Sequence, residues 1–293
     1  MFDILIAIGI LGGLGLIFGL VLAAASKVFY VEVDPRLEKL NECLPGANCG
    51  GCGYAGCGGY AEAVLNGEAE IGKCASGGNE CAQAMAEIMG VQAGEVTRKV
   101  ALVRCSGQRT FDENGNQTHG AKTKGNYEGF KDCLAASKVG GNGPLACKFG
   151  CLGFGNCVKA CKYDAIKVVN GVAKVDPEKC TGCMACSKQC PRELIIPVDY
   201  DKHVVIACAS HAKGAVTVRG CSQGCIGCGL CVKICPHDAI KVENNLATID
   251  YSICTSCGLC AAVCPKKLIS SPVDTPEEIL KIVKEHMKTA KGK

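Results

Sequence analysis

The sequence predicts an α+β architecture of small, cysteine-stapled domains strung behind one hydrophobic helix, and three observations predict it. Twenty-six of the 293 residues are cysteine, while aromatics make up only 5% and tryptophan is absent, so burial of large rings cannot be what holds the chain together. Twelve of those cysteines fall into three runs of one spacing, each followed by proline. The first stretch of chain, by contrast, is apolar and almost free of charge. A formal charge of +4, from 32 basic and 28 acidic residues, with no basic stripe interleaved with aromatics, argues against a nucleic-acid partner.

Residues 1–26 are expected to be a transmembrane anchor. Ile4 to Ala25 is an unbroken run of apolar residues and glycine, and at ~1.5 Å per residue its 22 residues span roughly 33 Å, enough for the hydrocarbon core. A cleaved signal peptide is the rival reading, given Ala23-Ala24-Ala25, but the leading segment carries Asp3 rather than a basic charge and the run is too long. Lys27, Arg36 and Lys39 follow the helix and no base precedes it, so the rest of the chain is expected on the cytoplasmic side of the cell (inner or plasma) membrane in a single-pass topology. Gly15 and Gly19, with Gly9, Gly12 and Gly13 nearby, are either a helix-docking face or ordinary membrane-helix glycines. With no ionisable group inside it, the run anchors and offers no ion path.

The cysteine runs carry the chemistry. Cys225, Cys228, Cys231 and Cys235 read C-x2-C-x2-C-x3-C before Pro236; Cys254, Cys257, Cys260 and Cys264 repeat it before Pro265, and Cys180, Cys183, Cys186 and Cys190 before Pro191. This is the bacterial ferredoxin spacing, in which a loop wraps three irons of a [4Fe–4S] cubane and the fourth thiolate serves the partner cluster. Structural zinc sites present paired knuckles instead of triplets, and a cytoplasmic chain has little use for disulfides. Seven cysteines, Cys151, Cys157, Cys161, Cys180, Cys183, Cys186 and Cys190, recur 74 positions on, at Cys225 to Cys264, as does Asp164-Ala165-Ile166 at Asp238-Ala239-Ile240. The prediction is two tandem ferredoxin-like 2[4Fe–4S] modules, 147–207 and 208–274. Strands at 166–169 and 173–175 are expected around an Asn170-Gly171 turn. Cys161, Cys180, Cys183 and Cys186 form one ligand set, Cys235, Cys254, Cys257 and Cys260 its equivalent, and Cys225, Cys228, Cys231 and Cys264 another. In the first module Phe154 replaces the thiol matching Cys228. Cys147 is the expected substitute, giving Cys147, Cys151, Cys157 and Cys190; a three-iron cluster or another ligand are the alternatives.

Residues 27–100 form a single-[4Fe–4S] domain. Cys49, Cys52 and Cys57 lie in a glycine-dense stretch with Cys74 further on, a spacing that can close one cubane. The leading membrane helix, the stretch Asn48-Cys49-Gly50-Gly51-Cys52-Gly53-Tyr54-Ala55-Gly56-Cys57 and the ferredoxin modules together resemble the B-subunit family of Rnf complexes. The resemblance covers essentially the whole chain. It implies an iron–sulfur relay in a membrane-bound, ion-translocating ferredoxin:NAD+ oxidoreductase, with ligand roles for Cys49, Cys52, Cys57 and Cys74. It also implies soluble ferredoxin as electron donor, other subunits carrying NAD and flavin, and coupling to Na+ or H+. The second module and the insertion 101–146 depart from shorter members. An anchored electron-transfer subunit of a hydrogenase or formate dehydrogenase complex is the redox rival and a structural zinc protein the non-redox one.

Six cysteines remain. Cys105, Cys133, Cys208 and Cys221 are candidates for a sixth cluster, with buried inert thiols as the alternative; Cys133 and Cys208 look like a pair, being similarly placed ahead of their modules. Cys43 and Cys81 are expected to be structural. His119, His203, His211, His237 and His286 lie outside ligand spacing, and Asp112 to Asn126 reads as a mobile polar loop. Residues 275–293 are a basic tail with a helix start at Thr275-Pro276 and an apolar face of Ile279, Ile282 and Val283. No strand–GxGxxG–helix unit and no P-loop occurs, so no residue is assigned to NAD or flavin and none to catalysis. Lys148, Lys159 and Lys162 are a candidate basic patch for an acidic donor.

Overall fold

The apolar run at the start of the chain forms one continuous helix, α1 (Phe2–Val28), of 27 residues. Every described large apolar side chain on it from Leu11 to Leu22 faces outward, and nothing lies within 4 Å of where a Cβ would sit on Gly12, Gly13, Gly15 or Gly19. The computed structural model describes residues 2–28, 34–94, 96–202 and 204–270, apart from the side chains of 3–5, 7, 8, 10 and 28. Among the described residues no helix is long and apolar enough to cross a membrane; in the span expected over 4–25 the side chains of 4, 5, 7, 8 and 10 lie outside the description. The expected tail helix after Thr275, and His203 and His286, also lie outside the described residues.

Three short helices build the first cysteine-bearing unit. α2 (Pro35–Glu42) starts with proline at its first position, where a missing N–H costs nothing, behind Asp34, whose carboxylate accepts the Arg36 N–H at 2.8 Å. α3 (Cys57–Leu65) and α4 (Gly78–Met89) pack against it around Leu40, Tyr60, Val64 and Met85. β1 (Lys99–Val103) then leaves this unit. The insertion that follows holds a small hairpin, β2 (Thr110–Phe111) and β3 (Gln117–His119), and a short helix, α5 (Cys133–Lys138). The stretch expected to be a mobile loop is therefore ordered in part. Asp112 accepts the N–H groups of Asn114 and Asn116, closing the hairpin turn, and Ala121 and Thr123 bridge to Cys221 and Leu145.

Each ferredoxin-like module repeats one plan. The first has α6 (Asn156–Lys159), the hairpin β4 (Ile166–Val169) and β5 (Val172–Val175), α7 (Ala185–Lys188) and β6 (Ile195–Asp199). Asn170 and Gly171, both with positive φ, make the hairpin turn. The second module has β7 (Val205–Ile206), α8 (Gly214–Gly220), α9 (Leu230–Ile234), the hairpin β8 (Ile240–Glu243) and β9 (Leu246–Ile249), α10 (Leu259–Val263) and β10 (Ile269–Ser270). A left-handed residue, Gly155, Met184, Gly229 or Gly258, opens α6, α7, α9 and α10, turning the chain sharply after a cysteine loop. β1 closes the first module by pairing antiparallel with β6, and β7 closes the second by pairing with β10. The repeated Asp-Ala-Ile phrase gains a structural meaning here: Asp164 and Asp238 both take positive φ, at 49° and 51°, and the next two residues go into the two cores.

Candidate metal centres

The cysteines gather into six sets, numbered I to VI in spatial order. Site I is a cavity lined by Cys49, Cys52, Cys57 and Cys74 together with Gly50, Gly51 and Ala75. Cys81 sits against Cys74 with its thiol pushed well up by that neighbour and by burial, while the Cys74 thiol is lowered to about 6 by the Cys81 hydrogen bond. Cys43 and Cys81 are core groups of this unit.

Site II gathers Cys161, Cys180, Cys183 and Cys186. Burial pushes the Cys186 thiol up to about 11, and Cys180, Cys183 and Cys161 reinforce the shift. The Ala101 N–H of β1 donates to Cys180 Sγ at 3.3 Å.

Site III is a cavity lined by Cys133, Cys151, Cys157 and Cys190. The spacing alone predicts Cys147 as the fourth ligand; in the structure Cys133, and not Cys147, lines this cavity. The reason is a clip between the insertion and α6. Asn156 Oδ1 accepts the Cys133 N–H at 2.8 Å and Asn156 Nδ2 donates to Asp132. The other oxygen of Asp132 accepts the Ala135 N–H at 2.8 Å as the cap of α5, and these bonds hold its carboxyl below the usual range. The cysteine at the start of α5 is thereby bound beside the one carried by α6, while Phe154 packs on Tyr127.

Site IV takes the thiol freed by that exchange. Cys105, Cys147, Cys208 and Cys221 line one cavity between the two modules. The set expected for a sixth cluster has Cys133 in place of Cys147, and pairs Cys133 with Cys208. In space Cys105 and Cys208 are the matching pair: each lies two residues beyond the strand that closes its module, Val103 of β1 and Ile206 of β7, and each Sγ accepts the N–H of the equivalent cysteine, Cys151 and Cys225, at 3.3 Å. Cys147 and Cys221 match at the 74-residue offset. Site IV therefore has two matching pairs, one from each repeat.

Site V is a cavity lined by Cys225, Cys228, Cys231 and Cys264. Site VI gathers Cys254, Cys257 and Cys260, where burial and then Cys257 raise the Cys260 thiol to about 12; Cys235 is assigned to it as the counterpart of Cys161 at the 74-residue offset. Cys228 and Cys257 are exposed.

Neighbouring sites touch through protein groups. The Cys183 carbonyl oxygen lies 2.5 Å from where a Gly51 Cβ would be, and Ser76 Oγ, beside Cys49 Sγ at 3.9 Å, donates to Thr181 at 3.2 Å; these join I to II. Cys186 adds to the upward push on the Cys157 thiol between II and III, as Cys231 does on the Cys260 thiol between V and VI. The two N–H···S bonds to Cys105 and Cys208 join III to IV and IV to V.

The donor set suits an iron–sulfur cluster: four thiols line each of the cavities at sites I, III, IV and V, and further N–H groups reach sulfur from Leu194 to Cys190 at 3.4 Å and from Ser210 to Cys208 at 3.5 Å. Such donors are the usual surroundings of cluster thiolates. His119 and His211 are held by Ser222 and Asn244. Of the candidate basic patch, Lys162 donates to the Ala47 carbonyl at 2.8 Å.

Three families match parts of the chain: an Fe-S cluster family over residues 44–76, and two 4Fe-4S dicluster domain families over 224–268 and 179–240. The sequence is 46% identical over 86% of its length, and 73% of the relative's, to the B subunit of the Na(+)-translocating ferredoxin:NAD(+) oxidoreductase complex of Acetobacterium woodii. It is 43% identical over 82% of each chain to the proton-translocating counterpart of Clostridium ljungdahlii. Identity is 38%, over 85% of this chain and 90% of the relative, to the B subunit of the ion-translocating oxidoreductase complex of Methanosarcina acetivorans.

Proposed function

The chain belongs to the B-subunit family of ion-translocating ferredoxin:NAD(+) oxidoreductase complexes, and from that premise we propose that sites I to VI hold six [4Fe–4S] clusters in single file. A bound cluster of this kind accepts and passes on one electron at a time. The chain's own residues do the rest. Four thiolates hold each cluster with no iron left open, and backbone N–H groups aimed at Cys105, Cys180, Cys190 and Cys208 lower the negative charge felt at the sulfurs. Buried apolar walls keep water out. The subunit works between soluble reduced ferredoxin and partner subunits that carry the NAD chemistry, and the exposure of Cys228 and Cys257 suits sites V and VI to electron exchange with another protein. α1 tethers the relay to the membrane: its outward apolar side chains and open glycines suit lipid or a neighbouring helix.

The observation that carries this reading is that the four-cysteine sets adjoin one another: I meets II at Gly51 and Ser76, III meets IV and IV meets V through N–H···S bonds, and Cys157 with Cys186 and Cys231 with Cys260 stand close enough to influence each other's charge across II–III and V–VI. Its test is iron and acid-labile sulfide on anaerobically purified protein, with low-temperature EPR after dithionite. About 24 of each per chain is expected for six cubanes; zinc without sulfide overturns the reading. Cys133→Ser and Cys190→Ser should erase one and the same signal, and Cys147→Ser and Cys221→Ser a different one. Loss of a shared signal by Cys147→Ser and Cys190→Ser would return Cys147 to site III.

A further inference from the structure

Arg192 follows Pro191 and lines site III alongside Cys133, Cys151, Cys157 and Cys190. Its guanidinium reaches under the loop that carries Cys147 of site IV and Cys151 of site III. Nη1 donates to the Cys147 carbonyl at 3.3 Å and to the Gly150 carbonyl, and Nη2 donates to the Asn142 carbonyl. Nε is buried without a partner. Among the described residues the ion pairs are Arg36 with Asp34 and Lys179 with Asp164, so no carboxylate neutralises this cation; its acceptors are neutral carbonyls.

A half-buried cation with one orphaned N–H is costly unless negative charge stands near it. The thiols whose charge bears on it most are Cys147, Cys151, Cys105 and Cys190, two from each site. Each oxidised cubane with four thiolates carries about −2, and taking up an electron makes it about −3. A fixed positive charge beside it therefore favours the reduced form. At the matching place in the second module, behind Pro265, stands Lys266, which lines site V as a point charge on a flexible stem rather than a planar fork.

Resting on the six-cluster reading, we propose that Arg192 is a potential-setting residue shared by sites III and IV, raising the reduction potentials of both clusters together and holding site III above its duplicate, site V. Its work is done by charge, with the carbonyl clamp fixing where that charge lies.

The test is a potentiometric EPR titration of the anaerobic full-length chain, with signals III and IV assigned through Cys133→Ser and Cys147→Ser. Iron and sulfide are counted first, so a failure of the six-cluster reading shows up as missing metal before any potential is read. In Arg192→Gln with wild-type iron, signals III and IV should shift to lower potential while the other four stay. Arg192→Lys, which keeps the charge but not the planar clamp, should shift them by less than Arg192→Gln does. Unchanged potentials in a fully loaded Arg192→Gln protein, or one shift common to all six, overturns the proposal; so does a loaded Arg192→Lys protein that falls as far as Arg192→Gln. Should neither variant load its clusters, the unaltered chain decides: site III titrating level with or below site V overturns it.

Discussion

At Tyr60 a single phenol ties together two pieces of backbone beneath site I, donating to the Glu70 carbonyl at 2.9 Å and accepting the Lys73 N–H at 3.2 Å. Burial pushes its pKa from 10.0 up to about 12. A raised pKa adds stability that is fully present below pH 10 and is lost as pH rises through 12. Thermal unfolding of the cluster-free chain should accordingly fall off between pH 10 and 12, and Tyr60→Phe should flatten that fall while costing about 1–2 kcal/mol at neutral pH from the unpaired backbone groups. A Tyr60→Phe protein with the full wild-type pH slope would refute this. Single residues also mark the limit of what spacing can reveal. The regular runs are legible because three thiols and a proline recur at one spacing. Cys133 is not, because what brings it to site III is Asn156, a side chain with no spacing rule, acting from another element. Cys105 and Cys208 are hidden as a pair because the insertion lies between β1 and its module and shifts the register of the repeat.

Elements matter here mostly for where they start. α5 has a carboxylate cap and a side-chain clip for its first residue, and that first residue is Cys133. Asn156→Ala leaves every thiol in place but frees the Cys133 N–H and Asp132; the expected loss is about 1–2 kcal/mol of stability and faster release of iron from site III alone, read by EPR during chelation. Equal release from all sites would show the clip to be irrelevant. Gly51 makes the complementary case for a loop. With a Cβ the residue would press on the Cys183 backbone at 2.5 Å, so Gly51→Ala must push the first unit off the first module. All six clusters should remain while magnetic coupling between sites I and II weakens; an unaltered coupled spectrum would count against the contact. The hairpin at 166–175 is readable from its Asn-Gly turn, whereas the β1–β6 and β7–β10 pairings join segments far apart in sequence and carry no local signal.

Across the whole molecule, the relay has one strand of sites and no bypass among the described contacts. Cys208→Ser should remove about four iron per chain and cut the relay at site IV, so that ferredoxin promptly reduces the sites on one side of the cut, those on the other side lag, and NAD+ reduction by the assembled complex collapses. Rapid reduction persisting on both sides of the cut would mean electrons enter at both ends. The tandem plan as a whole follows from the duplication and the cysteine spacing. The order of the sites does not, because it depends on how the insertion folds back onto Cys221.

The two pairs at site IV bear on how the protein is made. Cys105 leaves the ribosome long before Cys221, with all of the first module translated in between. Sites I to III have their full ligand sets by the time Cys190 emerges, but the junction stays two thiols short until the second repeat begins to form. The ligand sets of sites I to IV are thus completed in that order during synthesis, site IV only after its neighbour upstream. A chain that stopped short of Cys208 would be a shorter relay with an open, oxidisable pair of cysteines, Cys105 and Cys147, at its broken end.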